Sequence, residues 1–295
     1  MRRFRLLLFA LFALLAVTGS VNAQEKPKFT TGPAQVTLGG SRGQMNLASG
    51  FIYVGPEEAR RILEKDGDTD AESTVGLIAQ PESQVKWFGL FRYDDCGYVR
   101  DDEADKLRAD DLLNDIRQGT NKANEERRSR GEAGIDVVGW FQPPTYNRQT
   151  HTLSWSVIGR EQDTSKQVIN YTTILFGRYG ILSCTVVGDP KDGTALQQNL
   201  NTINTSISFP QGRDYPSFRS GDRVAEITMT GLITGGAGAA AYGAAKVGLL
   251  AKAGKFLLML LLAAKKGIVL VFAGIVAGVR KLIAKLSGKS NNAQA

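Results

Sequence analysis

The chain carries a single histidine, His151, and one dense run of carboxylates: Asp94, Asp95, Asp101, Asp102, Asp105, Asp110 and Asp111. An imidazole near a carboxylate is acid–base chemistry. The ring accepts a proton near neutral pH, and the carboxylate orients it. His151 with Asp101 or Asp102 is therefore the candidate catalytic set, and a hydrolase or transferase the reaction class. The plainer expectation is that His151, following Pro143-Pro144-Thr145-Tyr146-Asn147, caps a turn at the start of a strand. Paired carboxylates also hold Ca²⁺ or Mg²⁺. Here their spacing departs from the EF-hand loop, which needs alternate ligands, a central Gly and a final Glu. A solvated turn and a helix cap account for the same residues.

Other chemistry finds no motif. No Cys-x-x-Cys or His-x-x-x-His spacing is present, so no zinc site of familiar type is expected. A phosphate-cradling Gly-rich loop is also lacking. The expectation is no metal and no cofactor. Trp87, Trp140, Trp155, Tyr146 and Tyr171 would suit a sugar or peptide groove, but at strand spacing they read first as core. Asn124, Arg127, Arg128 and Arg130 end a helix, where cations complement its dipole and an anion or acidic headgroup would also fit. Asn170-Tyr171-Thr172 and Asn204-Thr205-Ser206 match the N-glycosylation pattern by chance. Cys96 and Cys184 are the only cysteines. They form either one disulfide, permitted outside the cytoplasm, or two separately buried thiols.

The elements that must position these residues follow from periodicity. Residues 35–54 read as a first hairpin. Pro56-Glu57-Glu58 opens a helix with Ala59, Ile62 and Leu63 on one face. Residues 75–79 and 85–93 are strands. A helix capped by an Asp runs from about Asp110 to Arg130, with Leu112, Leu113 and Ile116 on one side. Strands at 135–141, 151–158, 168–176 and 181–187 follow with tight links, the first ended by Pro143-Pro144. Alternation is clearest where Leu153, Trp155 and Val157 face one way and Thr152, Ser154 and Ser156 the other. Then Leu196, Leu200, Ile203 and Ile207 make an amphipathic helix able to cover the sheet. The fold class is α+β: an antiparallel β-meander packed by helices, with an N-terminal signal peptide and a C-terminal membrane-associated helical tail.

Both ends avoid water. Arg2, Arg3 and Arg5 precede an apolar run from Leu6 to Val17 that ends at Val21-Asn22-Ala23, a secretory signal cleaved after Ala23. The net charge of +7 over 295 residues divides unevenly. Residues 24–223 hold 24 basic and 28 acidic side chains, whereas residues 224–295 hold nine basic and one acidic. A basic tail beside apolar stretches suits an anionic membrane face and not nucleic acid, which needs its basic patch on the folded domain. The organisation expected is a signal peptide at 1–23, a leader at 24–44, an extracytoplasmic domain at 45–223, and a transmembrane helix at 224–251. A second apolar, basic helix at 252–295 is either interfacial or a second span. Gly231 and Gly235 have the small-xxx-small spacing of a packed membrane helix, and Lys246, Lys252 and Lys255 follow on the cytoplasmic side.

Gly97-Tyr98-Val99-Arg100-Asp101-Asp102, Asp110-Asp111-Leu112-Leu113, Val138-Gly139-Trp140, Thr150-His151-Thr152-Leu153-Ser154-Trp155, Asn170-Tyr171, Gly177-Arg178 and Asp222-Arg223-Val224-Ala225 occur in that order. With Pro144, Tyr146 and Phe218 they resemble the bacterial family of membrane-anchored proteins catalogued as domain of unknown function 2167. The likeness runs from about Met45 to Leu250. It implies a bacterial envelope address and no particular activity. Cys96 stands where the family is expected to have an acidic or polar residue, which argues against an essential thiol.

The function these features lead to is a non-catalytic envelope protein. Its extracytoplasmic domain binds a partner, a protein or a glycan, and is anchored in the inner membrane. The alternatives are the His151–Asp hydrolase or transferase, and an accessory subunit of a membrane transporter assembled through Gly231 and Gly235.

Overall fold

The computed structural model describes residues 29–65 and 71–235. The expected signal peptide and everything after Gly235 lie outside them. Two antiparallel sheets form. The larger has eight strands in the order β1-β4-β5-β6-β10-β9-β8-β7: β1 (Thr30–Thr31), β4 (Ile52–Val54), β5 (Thr74–Ala79), β6 (Trp87–Asp94), β7 (Ile135–Asn147), β8 (Thr152–Glu161), β9 (Gln167–Phe176) and β10 (Ile181–Gly188). The smaller has order β11-β3-β2: β2 (Ala34–Leu38), β3 (Gly43–Leu47) and β11 (Ile207–Ser208). The helices are α1 (Pro56–Lys65), α2 (Ala109–Ser129), α3 (Gly193–Ser206) and α4 (Met229–Thr234).

Strand alternation assigns each face of the large sheet a cover. On one face Tyr53, Phe91, Tyr171, Cys184 and Val186 meet Leu196, Leu200 and Ile203 of α3 and Val36, Leu38 and Met45 of the small sheet. On the other face two clusters form. Leu77, Phe88 and Leu90 pack with Ala59, Ile62 and Leu63 of α1. Leu153, Trp155, Val157 and Ile174 pack with Leu112 and Ile116 of α2 and Met229 and Ile233 of α4. The domain is thus α+β with both faces of one large antiparallel sheet buried. Burying each Leu-sized side chain contributes roughly 1.5–3 kcal/mol.

The meander β7–β10 follows the expected order, and β10 continues it through β6 to β5 and β4. Several expectations need correction. The leader at 24–44 is structured from Thr30 onward, because Val36 and Leu38 are buried against the large sheet. Pro143-Pro144 does not end β7. That strand is the sheet edge and carries register shifts, so a missing N–H faces no partner strand. No Asp caps α2: Arg108 holds the N-cap without a side-chain bond, and Asp110 and Asp111 sit in the first turn.

The predicted transmembrane helix at 224–251 starts inside the domain. Tyr98 and Val224 form a parallel bridge: the Tyr98 N–H donates to the Arg223 carbonyl at 2.8 Å, and the Ala225 N–H to the Tyr98 carbonyl at 2.9 Å. Thr228 caps α4 by accepting from the Gly231 N–H at 3.1 Å, and Glu103 accepts from the Thr230 N–H at 2.9 Å. Gly235 ends α4 in the left-handed region, φ 68°. Gly231 and Gly235 therefore do not share one continuous helix, and Gly231 is buried in the domain. Among the described residues no helix is long and apolar enough to cross a membrane.

Candidate functional site

The hairpin turn between β7 and β8 sets the site. Asn147 closes the turn from below, its Oδ1 accepting from the Gln149 N–H at 2.9 Å and the Thr150 N–H at 3.2 Å. The chain then needs a left-handed residue to re-enter β8, and His151 supplies it at φ 50°. Histidine tolerates that region better than most side chains. The His151 carbonyl accepts from the Phe176 N–H at 3.0 Å, so the turn is fastened to β9 as well. The turn-capping role expected of His151 is therefore real, and its ring remains available.

That ring lies half-buried over Tyr215, with centroids 4.5 Å apart. Its Nδ1 is 3.3 Å from the Tyr146 hydroxyl. The same hydroxyl donates to Asp101 Oδ2 at 2.8 Å. Asp101 comes from the loop after β6, fifty residues earlier in the chain than His151. Arg148 stands beside two carboxylates of that loop: its guanidinium donates to Asp105 Oδ2 at 2.6 Å and approaches Asp101 Oδ2 at 3.8 Å. Burial, then the bond to anionic Asp101, pushes the Tyr146 phenol well above its ordinary range, so it stays protonated. His151 Nε2 has no hydrogen-bond partner among the described residues.

A row of rings backs the turn. Tyr215 stacks on Tyr98 at 4.3 Å, and Tyr98 meets Phe218 at 4.1 Å. Phe176 sits 5.6 Å from Tyr146 and 5.8 Å from Tyr215. Tyr215 is pinned by donating to the Val99 carbonyl at 2.9 Å. Phe218 ends the row 37% exposed, one of three large apolar side chains open to water among the described residues.

Of the three candidate catalytic residues, His151 and Asp101 converge through Tyr146, while Asp102 points to solvent outside the network. Tyr146, noticed in the sequence only as a groove aromatic, is the residue that joins them. Trp87, Trp155 and Tyr171 are core, and Trp140 donates its indole N–H to the Ala109 carbonyl at 3.0 Å. Asn124 binds both the N–H and carbonyl of Ile135, at 2.9 and 2.7 Å, and Arg127 is buried and donates to the Ala133 carbonyl at 2.8 Å. These two tie the end of α2 to β7 and do not face an anion from outside. Asn170 is buried, so the first glycosylation match has no acceptor at the surface.

Cys96 and Cys184 are free, buried thiols in different clusters, Cys184 facing α3 and Cys96 facing α2 and α4. The sheet lies between them, which removes the disulfide alternative. Burial raises the thiol pKa of Cys96 to about 12 and pushes that of Cys184 still higher. No group of three or more His, Cys, Asp or Glu side chains placed to hold a metal occurs among the described residues.

A β-meander with helices on both faces, whose polar turn cluster joins a histidine to a distant carboxylate, defines a compact α+β domain with one candidate site. The chain belongs to the family described as "Protein of unknown function (DUF2167)", which matches residues 30–276. No curated protein matches it. Among solved structures it is similar to cyanobacterial PsbP (CyanoP) from Synechocystis, at 9% identity and a TM-score of 0.37. That likeness covers 65% of this chain and 99% of the other.

Proposed function

We propose that this protein is a non-catalytic envelope module: an exported domain that binds a partner and is held at the inner membrane by the apolar, basic segment after Gly235. The observation that carries the reading is the clamp at the domain's exit. Arg178 donates to both oxygens of Asp222 at 2.7 and 2.9 Å, the Tyr98 backbone pairs with Val224, and Met229 and Ile233 are fully buried. A domain so fastened holds its own chain in place as far as Gly235, as suits a module whose orientation on a surface matters. The basic excess of that segment and the Arg-flanked apolar run at the N-terminus supply the address.

The test is topological. A phosphatase reporter that needs an oxidising compartment, fused after Gly235 so that α4 stays in place, is expected to be active. The full chain is expected to stay with membranes through alkaline carbonate. An inactive reporter, or release by carbonate, overturns the reading.

One observation favours the second reading, a hydrolase or transferase using His151 with Asp101: Tyr146 joins the two. Asp101 does not contact the imidazole itself, and no nucleophile stands beside Nε2 among the described residues. The transporter-subunit reading draws no support from the described residues, where Gly231 is buried in the domain and Gly235 ends α4.

A further inference from the structure

Two contacts at the β7–β8 turn decide where a proton lies. The Tyr146 hydroxyl stands 2.8 Å from Asp101 Oδ2 and 3.3 Å from His151 Nδ1. It stays protonated and has one hydrogen to give. An ionised carboxylate only accepts, and a charge-assisted bond is the shorter and stronger kind. The hydrogen therefore goes to Asp101. Had it gone to the imidazole, two oxygens presenting only lone pairs would face each other at 2.8 Å.

The Tyr146 oxygen is left as an acceptor, so Nδ1 must carry a hydrogen. The neighbouring polar groups are engaged elsewhere. Tyr215 lies against the imidazole at 4.5 Å, but its hydroxyl donates to the Val99 carbonyl. Arg148 only donates, and its guanidinium goes to Asp105 and toward Asp101. The backbone holds the ring where it is: His151 sits at φ 50°, and its carbonyl accepts from the Phe176 N–H. A neutral imidazole has one hydrogen, so with that hydrogen on Nδ1 the lone pair falls to Nε2.

We infer that Tyr146 and Asp101 are positioning residues for His151: together they hold its hydrogen on Nδ1 and leave Nε2 as the nitrogen that accepts a proton. A carboxylate in direct contact orients an imidazole in the same sense. Here Asp101 does so through a tyrosine. Protonation of the ring leaves the arrangement intact, since an imidazolium also donates from Nδ1. This deepens the second reading, on which the use of Nε2 as a base rests. The proton's place is measured without a substrate, so the two fail separately.

Because the chain has one histidine, nitrogen NMR of the ¹⁵N-labelled full-length protein in detergent micelles reports this ring alone. At a pH where the ring is neutral, Nδ1 is expected at the shift of a protonated nitrogen and Nε2 at that of a bare one. Tyr146→Phe keeps a ring beside Phe176 and removes the acceptor. It is expected to lower the ratio of the Nδ1–H to the Nε2–H form about tenfold, the factor that one net hydrogen bond supplies. Asp101→Ala is expected to lower the ratio too, because the freed Tyr146 hydrogen then turns to Nδ1. A dominant Nε2–H form or an even mixture in the unmodified protein overturns the inference. So does an unchanged ratio in Tyr146→Phe. An unchanged ratio in Asp101→Ala overturns the part given to Asp101.

Discussion

The carbonyl oxygen of Arg223 lies 2.6 Å from the point where a Cβ on Gly97 would stand. The two backbones touch because Gly97 adopts φ 95°, which lets Tyr98 turn and pair with Val224. Only glycine meets both demands. Gly97→Ala is expected to cost about 2–4 kcal/mol, the sum of left-handed backbone strain and overpacking. Urea unfolding of the protein measures the loss. Limited proteolysis is expected to cut near residues 223–228 in the variant first. A variant as stable as the parent would mean the exit strand is not fastened there.

Met229 and Ile233 are 0% exposed and lie in the cluster with Leu112 and Ile116. They belong to the domain's interior. Met229→Ala is expected to destabilise the domain by about 2–4 kcal/mol, and Ile233→Val by about 1 kcal/mol, through lost transfer energy and residual cavity. Had this stretch been membrane helix, neither change would alter the domain's unfolding midpoint. Thermal or urea melts of a chain ending after Gly235 against one ending after Arg223 make the same comparison without substitution.

The Arg178–Asp222 pair is well shielded, with side-chain exposures of 10% and 12%. Hydrogen bonding from Arg178, partly opposed by desolvation and aided by the Arg219 N–H, holds the Asp222 carboxyl below its usual value. A depressed carboxyl stabilises the fold above its unfolded pKa, roughly 3.9, and loses that contribution as pH falls through the folded value. Stability measured across pH is therefore expected to fall more steeply below about pH 4 in the parent than in Asp222→Asn. Above that pH the difference between the two is expected to be constant. Parallel curves through the acid range would show that the pair does not couple folding to protons.

Both thiols are buried, and burial raises their pKa. At neutral pH almost no thiolate is present and a maleimide has no path to it. The folded protein is expected to take up no label in minutes, and the unfolded protein two equivalents, with and without prior reduction. Labelling that requires a reductant would reveal a disulfide.

What the sequence made legible was local. Alternation through Leu153, Trp155 and Val157 placed β8, and the spacing of Leu196, Leu200 and Ile203 placed α3, because burying one face demands those periods. Pro143-Pro144 misled, since proline stops a strand only where its N–H would be needed, and edge position is a tertiary fact. The apolar run from Ile227 misled for a related reason. Six residues of it fill a gap over α2, and composition cannot separate a core plug from the start of a span. His151 and Asp101 were visible as chemistry but not as neighbours. Their link is Tyr146, whose place beside the turn is fixed by pairing with Leu153 and whose reach to Asp101 depends on how the loop after β6 folds back.

The seam between Tyr98 and Val224 has a mechanical meaning. The same residue that grips the departing chain through its main chain carries, on its side chain, the ring that touches both Tyr215 and Phe218. A shift of the main chain at Val224 is thus delivered within one residue to the row of rings that runs from Phe218 through Tyr98 and Tyr215 to His151.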